Sequence, residues 1–435
     1  MEMLTNKVDV SAKIKNRNSD ELTIEIKVPL VRSMLSGEEV IQQALNAAGM
    51  LASQELLKNF DTDGSPISVG SIRLTSKGQV LKEYQTPYGA VNIERHVYQT
   101  SAGGETFCPL DKDARIIGSA TPKLAKMVSH RYSRNSVDEV KTDFAQNHGR
   151  KLSRDFIQRI GVLVGTIATA KEESWSYSIP ELDTPITTIS IGLDGTTMLM
   201  CEEGYRQAMV GTVALYNKKG ERQHTLYIGA TPEYGKEKFL NRIEVEIANI
   251  KKLYPKAQYV GLADGAKDNW TFLDEHTSVQ ITDFYHASEY LTGVSEAMFS
   301  NKKESERKEW LQEHCHDLKH EESAAVTQLS EFKKIRKEGK YSKDKAEKID
   351  AAISYFTNQG KRMDYAKFRS QNLPIGSGIT EAACKVIIKQ RFCRSGMKWK
   401  DKGAAVVLSL RCLDKSQRWD QFWDKINQYG IPVAA

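Results

Sequence analysis

Cysteine is scarce and unpaired in this chain. Six residues (Cys108, Cys201, Cys315, Cys384, Cys393 and Cys412) are scattered over 435 positions, with no Cys-x-x-Cys spacing. That argues against a disulfide framework and suits a reducing compartment, the cytoplasm. Long apolar runs are missing too. The longest, Gly161 to Ala170, is about half of the roughly 20 residues a membrane span requires, so no membrane partner is expected. The first ten residues are polar and mixed in charge, with no apolar run behind them, which argues against a secretory leader. No Gly-Lys-Ser/Thr loop occurs, so ATP dependence has no support. Gly376-Ser-Gly378 is no dinucleotide fingerprint, because the third glycine is missing. Internal repeats and low-complexity tracts are absent as well.

Charge of one sign is also in short supply. The net charge is +6, with 27% charged and 40% hydrophobic residues. This is a globular profile whose basic bias is too small to identify a partner by itself. At 435 residues and roughly 150 residues per domain, more than one module is expected.

The hydrophobic pattern divides the chain. Thr23 to Val28 alternates and reads as a strand, and Ser36 with Glu39 is placed as a capping box for a helix to about Asn59. Residues 71–100 carry hairpin signals, and 103–110 reads as loop. From Thr121 the pattern turns helical. Ser136 to His148, a glycine turn at Gly149 and a second Ser-capped helix bearing Arg154, Gln158 and Arg159 outline a helix-turn-helix, although plain packing of a helical hairpin is the leading reading of these residues alone. Beyond a hinge at 173–185, three β-rich runs (186–194, 209–216 and 224–229), a helix over 236–253, and two further strands (258–263 and 279–283) with a short helix around Trp270 describe a mixed α/β sheet. Residues 300–366 are dense in helix formers and mixed charge, an inserted helical subdomain. Pro374 to Gly378 breaks that pattern, a helix containing Glu381 follows, and a helical tail with Trp419, Phe422 and Trp423 closes the chain.

Two aspartates, Asp194 and Asp264, each follow an apolar strand and precede glycine. A carboxylate there points into the crevice at the C-terminal edge of an α/β sheet, although Asp-Gly is also common turn chemistry. Glu381, at the start of its helix, stands ready to face that edge. Three carboxylates without His or Cys partners favour hard cations such as Mg²⁺. Two such ions about 4 Å apart would clamp the attacking and leaving oxygens of a phosphodiester. Elsewhere His314-Cys-His-Asp-Leu-Lys-His320 lies in a charged helix without a second ligand pair, so a zinc site there is not favoured.

The segments Leu193-Asp-Gly-Thr-Thr-Met198, Leu262-Ala-Asp-Gly-Ala266, Thr282-Asp-Phe-Tyr-His286 and Pro374-Ile-Gly-Ser-Gly-Ile-Thr-Glu-Ala-Ala-Cys-Lys385 resemble bacterial insertion-sequence transposases of the DDE class. The last of them, continuing to Trp399, looks most like the Kra-type insertion-sequence family, and the resemblance covers roughly residues 90 to 415. It implies an RNase H-like catalytic domain with a helical insertion before the final Glu. Asp194, Asp264 and Glu381 would form the catalytic and metal-binding triad, holding two Mg²⁺ (or Mn²⁺) ions. Asp283 and His286 match the Asp-x-x-His signature of insertion-bearing relatives and join the catalytic candidates; a helix cap and a packed His is the plainer reading. The expected organisation is an α+β region (1–120) for DNA end binding or oligomerisation and a helix-turn-helix region (121–180). The catalytic core (181–299) follows, then the insertion (300–366), the last part of the core (367–415) and the tail (416–435). Expected partners are DNA, as terminal inverted repeats and target, and further copies of the chain in a dimer or larger synaptic assembly. The site of action would be the cytoplasm, at the nucleoid.

Lys385 stands one helical turn from Glu381, with Lys389 continuing the row. Together with Arg391, Arg394 and Lys398 they form a candidate DNA-phosphate stripe. Trp270, Tyr285 and Trp399 are candidates for stacking on a distorted base, or else core. From Lys367 to Lys415 there are eleven Lys/Arg against three acids, an excess of eight, larger than the +6 of the whole chain. The basic bias is therefore concentrated beside Glu381. Two other readings stay open on the residues: an RNase H-like junction nuclease, and a domesticated DNA-binding regulator without catalysis.

Overall fold

The computed structural model of the chain describes residues 11–233, 236–299 and 303–430. The polar start (1–10), the first residues of the expected insertion (300–302) and the end of the tail (431–435) lie outside the described residues. Two compact units form. The first takes the described residues up to Glu172, Ala405–Asp414 and those from Arg418 on; the second takes Glu173–Ala404 and Lys415–Gln417. Residues 405–414, expected at the end of the catalytic core, thus group with the first unit. Among the described residues no helix is long and apolar enough to cross a membrane.

In the first unit, β1 (Ser11–Arg17) and β2 (Leu22–Lys27) pair antiparallel, and α1 (Met34–Lys58) follows. Its cap is Ser33, whose hydroxyl accepts from the Ser36 N–H at 3.4 Å; the expected cap, Ser36, already lies in the first turn. β3 (Ile67–Val69), β4 (Ile72–Gln85), β5 (Ala90–Thr100) and β6 (Gly103–Phe107) make an antiparallel sheet in sequence order. The stretch expected as loop thus contributes β6 and the start of α2 (Pro109–Asp113). Its glycines carry little strand propensity, and pairing to β5 supplies what propensity lacks. α3 (Pro122–Arg134), α4 (Val137–Asn147) and α5 (Arg154–Lys171) pack together. Ser136 and Glu139 form a reciprocal capping box on α4, and Ser153 accepts from Phe156 N–H at 3.1 Å to start α5.

The C-terminal segments lock onto these helices. Asp414 is buried and accepts from His130 Nε2 at 3.2 Å and Arg134 Nε at 2.8 Å. Burial alone would raise its carboxyl, but the hydrogen bonds and charges of His130 and Arg134 outweigh that and hold it well below the ordinary carboxylate range. A folded-state value below the unfolded one means that this carboxyl stabilises the fold wherever it is ionised, and that the contribution fades as pH falls below about 4. Asp414→Asn should therefore lower stability by about 1–3 kcal/mol at neutral pH. Denaturant unfolding should show the gap from the parent narrowing as the pH approaches the carboxylate range. An equal gap at neutral and acid pH would contradict this account.

The second unit is built on a five-stranded mixed sheet, so the chain is mixed α/β. β7 (Ile186–Met200), β8 (Gly204–Asn217) and β9 (Arg222–Ala230) are consecutive antiparallel strands. After α6 (Glu237–Leu253) the chain adds β10 (Gln258–Ala263), then α7 (Lys267–His276) and β11 (Val279–Thr282). The order is β11-β10-β7-β8-β9, with β10 and β11 parallel to β7. One face carries α6 through Phe239, Ile243, Ile247 and Ile250, spaced by helical turns and packed on Ile189, Ile191 and Val213.

The other face carries α8 (Phe284–Met298), α9 (Glu304–His320), α10 (Ala324–Glu338) and α11 (Lys343–Gln359), where Leu291, Phe332 and Phe356 pack with Val260 and Ile281. α12 (Tyr365–Ser370) and α13 (Gly378–Ala383) follow, then a π-helical stretch over Cys384–Lys389 and α14 (Gln390–Phe392). α15 (Asp401–Lys415) and α16 (Trp419–Tyr429) complete the chain.

Candidate active site

Strand register brings two of the expected carboxylates together. Leu262 of β10 lies opposite Gly192 of β7, and Asp264 and Asp194 each follow two positions later. Their settings differ: Asp264 is the first residue past β10, whereas Asp194, expected just after its strand, lies inside β7, which runs on to Met200 paired with β8. Ala263 lies opposite Thr282 of β11, and Asp264 and Asp283 each follow one position later.

Glu381 reaches this edge on α13, which lies against β7 and β8. Thr380 and Thr212 share a hydroxyl hydrogen bond of 2.8 Å. A Cβ on Gly192 would stand only 2.1 Å from Thr380 Oγ1 and 3.2 Å from its Cβ, so a side chain at 192 would collide with Thr380 and disturb the seat of α13. Glycine here seats the Glu381 helix directly on the strand that carries Asp194. Glu381 stays exposed and accepts from Ser377 Oγ at 3.0 Å.

Asp194 and Glu381 line one concavity of about 700 Å³, together with Cys384, Lys385, Lys389 and Gln390. Asp194 Oδ1 accepts from Gly195 N–H at 2.6 Å and Oδ2 from the Cys384 thiol at 3.3 Å. Burial, then the Asp194 charge and hydrogen bond, push the Cys384 thiol well above its ordinary value, so it stays a neutral donor. The π-helical turn spans Cys384 to Lys389, and such turns are frequent at functional sites.

Asp264 is exposed, and its Oδ1 accepts from Ala266 N–H at 3.1 Å. The insertion grips this loop: Tyr355 of α11 donates to the Asp264 carbonyl at 2.7 Å and Gln359 Nε2 to the Gly265 carbonyl at 3.2 Å. Three carboxylates suit a hard divalent cation by donor chemistry. Among the described residues, however, no group of three or more His, Cys, Asp or Glu side chains is gathered closely enough to hold a metal ion. The triad fits the ion in kind and falls short of a cage in spacing.

Three expected site residues are placed differently. Asp283 is fully buried. Its Oδ1 accepts from His286 N–H at 2.8 Å, capping α8, and its Oδ2 accepts from Ser377 N–H. With both oxygens committed to backbone donors it is a positioning residue. Trp270 is buried in the core beside the sheet, with the Arg362 guanidinium 4.5 Å from its ring centroid, so its ring is not offered to a base. Arg391 is buried too, its guanidinium 5.0 Å from the Trp399 ring, and is withdrawn from the phosphate stripe. Trp399 itself is half-buried and donates to the Phe392 carbonyl at 3.0 Å.

Lys385, Lys389 and Lys398 are exposed, and Arg394 is half-buried with its Nε on the Gln390 carbonyl at 2.9 Å. His286 is half-buried with Nδ1 3.2 Å from Glu289. Burial would lower its pKa, but the charges of Asp283, Glu289 and Asp264 outweigh that and raise it. In the first unit Arg154, Gln158 and Arg159 face solvent; Arg154 is ion-paired with Asp138 at 2.7 Å, and Arg159 donates to Ser119 Oγ at 3.2 Å. His314 is engaged by the Trp310 carbonyl at 2.9 Å and by Glu331 at 3.0 Å.

Sequence reasoning passed over Cys384, Tyr355, Gln359 and the Gly192–Thr380 contact. Only Cys384 left a signal, three positions after Glu381 and so on its helical face. Comparison with protein-family models and with curated proteins returns no match.

Proposed function

We propose that the chain is a DNA transposase of the DDE class, which binds the terminal inverted repeats of its element and cuts and joins DNA strands. One juxtaposition carries the reading: Asp194 and Asp264, each two positions past the paired Gly192 and Leu262 of adjacent parallel strands, with Glu381 brought to the first of these strands by the Gly192–Thr380 contact. Three antiparallel strands followed by two parallel ones, and a helical segment entering before Glu381, support the RNase H-like reading of the sheet.

The chain's own residues divide the work. Lys385 and Lys389, in the concavity of Asp194 and Glu381, hold the phosphates of the strand end. Asp283 keeps the Glu381 segment in place, and Tyr355 and Gln359 do the same for the Asp264 loop. Two Mg²⁺ or Mn²⁺ ions on Asp194, Asp264 and Glu381 would supply charge neutralisation at the phosphodiester. Water would attack the phosphodiester at the element end, its P–O3′ bond breaking to release a 3′-hydroxyl and leave a 5′-phosphate. That hydroxyl would then attack a target phosphodiester, forming a new P–O bond as the target's own 3′-oxygen leaves. The α4–α5 pair offers Arg154, Gln158 and Arg159 to the end sequence as a helix-turn-helix. Leu35, Ile41 and Leu45, exposed on α1, offer apolar surface for the dimer or larger synaptic assembly. The enzyme would act in the cytoplasm, at the nucleoid.

The test is an in vitro assay with the DNA flanking the gene, reading cleavage and strand joining. Cleaved ends that are then joined to a target are expected. Cleavage without joining assigns the chain to the nuclease class instead, and end binding without cleavage makes it a regulator. Retained cleavage by Asp264→Ala would remove Asp264 from the triad.

A further inference from the structure

A second pocket of the same unit, of about 630 Å³, opens beside the segment that delivers Glu381 and includes Gly376, Gly378 and Ile379 in its wall. Three cations from separate elements face it: Lys219 on the β8–β9 turn, Lys319 on α9 and Arg369 on α12. No acidic side chain among the described residues lines it. Among the described residues none of the three cations is ion-paired with a carboxylate. Lys319 Nζ lies 5.4 Å from the Phe284 ring centroid, and Arg369 Nη1 lies 2.7 Å from His320 Nδ1. Like charges converging without counterions describe a seat for an anion.

The remaining wall adds an aromatic. Tyr285 is 62% exposed, and its ring lies along the backbone at Gly376, where an added Cβ would meet it at 3.3 Å. A large aromatic left open to solvent beside clustered cations is the combination that binds unpaired nucleotides, the base on the ring and the phosphate on the cations. The pocket is also fixed in shape. Asn372, in the left-handed conformation at φ 57°, donates from Nδ2 to the Lys218 carbonyl at 3.3 Å, tying the β8–β9 turn to the segment after α12. Its volume lies within the roughly 300–1,000 Å³ of small-ligand sites.

We propose that this pocket seats an unpaired nucleotide of a DNA strand, its phosphate among Lys219, Lys319 and Arg369 and its base on Tyr285. The inference rests on the DNA-processing reading and adds to it a place beside Glu381 where a strand is held single. It is tested by fluorescence anisotropy with the full chain and a short labelled single strand of mixed sequence, over a range of NaCl concentrations.

The Lys319→Ala/Arg369→Ala pair should reduce the slope of log K against log salt by about 1.4, the share of two phosphate contacts on a single strand. Tyr285→Ala should weaken binding about tenfold, while Tyr285→Phe, which keeps the ring, stays within about twofold of the parent. The Lys333→Ala/Lys337→Ala pair, exposed on α10, should leave the slope unchanged. Thermal unfolding of each variant, with Gln versions of the two cations as a second set, separates lost contacts from lost fold. An unchanged slope in the pocket pair, or an equal loss in the α10 pair, overturns the pocket. So does a free deoxynucleoside monophosphate competing as well as the strand. Failure of the parent to bind single strands while it binds element ends overturns the pocket alone; failure to bind any DNA overturns the DNA-processing reading with it.

Discussion

Under the proposed DNA-cleaving function, Glu381→Gln is expected to lower strand cleavage by about a thousandfold, the upper range for loss of one preorganised electrostatic group at a reacting centre. The substitution is nearly isosteric. Its amide oxygen can still accept from Ser377 Oγ, the partner of Glu381 at 3.0 Å, so α13 keeps its start. Thr380 keeps its seat against Gly192, because nothing at that contact changes. What disappears is one negative charge in the concavity shared with Asp194, Lys385 and Lys389. Binding of element ends should persist, since the cations remain and a neighbouring acid has gone. Cleavage of an end-containing duplex, measured beside end binding and thermal unfolding, decides the matter. Cleavage within about tenfold of the parent would exclude Glu381 from the chemistry.

Asp283→Ala is expected to act by a different route and to cost stability as well. The buried carboxylate joins two segments far apart in sequence: it caps α8 through His286 N–H and holds Ser377 N–H in the loop before Glu381. The backbone reinforces the joint, with Phe284 N–H donating to the Ile375 carbonyl at 3.0 Å. Alanine removes a helix cap, about 1 kcal/mol, and leaves the Ser377 N–H without its partner, a further ~1–3 kcal/mol. A loss of about 2–4 kcal/mol should lower the unfolding midpoint by roughly 5–10 °C in a unit of this size. Cleavage should fall in step, because the Glu381 segment loses its anchor. Asp283→Asn separates the two roles. Its amide oxygen can cap α8, while its NH₂ meets Ser377 N–H donor to donor. Stability should recover in part while cleavage stays low. A melting temperature for Asp283→Ala within about 1 °C of the parent would show that the carboxylate does not hold the joint.

The strands that carry the site were readable because their chemistry is local, but only one of them ends where its Asp-Gly suggests. Gln258 to Ala263 is apolar and stops just before Asp264, whereas the run from Ile186 continues through Asp194-Gly195 to Met200, because pairing with β8 carries the strand across the turn-like dipeptide. Their adjacency was not readable, because a parallel neighbour is chosen by a crossover and by packing on both faces of the sheet. Asp283 shows the limit well. Its place at a strand end and helix start was legible, but its role depends on Ser377, which folds against it from the far side of the insertion. Trp270 follows the polar run Lys267-Asp-Asn269 and Arg391 follows Lys389-Gln390, so both look available; tertiary packing buries both, the arginine against an aromatic ring. The cap of α1 moved from Ser36 to Ser33 because both serines satisfy the same local rule. The grip of Tyr355 and Gln359 on the Asp264 loop left no sequence signal, since nothing local marks a side chain that reaches a distant carbonyl.

The division of the first unit between the two ends of the chain bears on how the protein is made. Val406 fits against α5 at Gly165, where an added Cβ would stand 2.6 Å from its side chain. Arg411 donates to the Ser133 carbonyl at 2.8 Å, and Asp414 sits between His130 and Arg134. A ribosome adding ~5–20 residues per second takes roughly ten to fifty seconds to travel from α5 to α15. Through that interval α3 and α5 wait with their apolar grooves open, while nearly all of the second unit has already been made. The units therefore mature in the reverse of the order in which they are begun. The unfinished N-terminal helices are the part of the nascent chain that most needs shielding, and slower growth at low temperature lengthens that exposure.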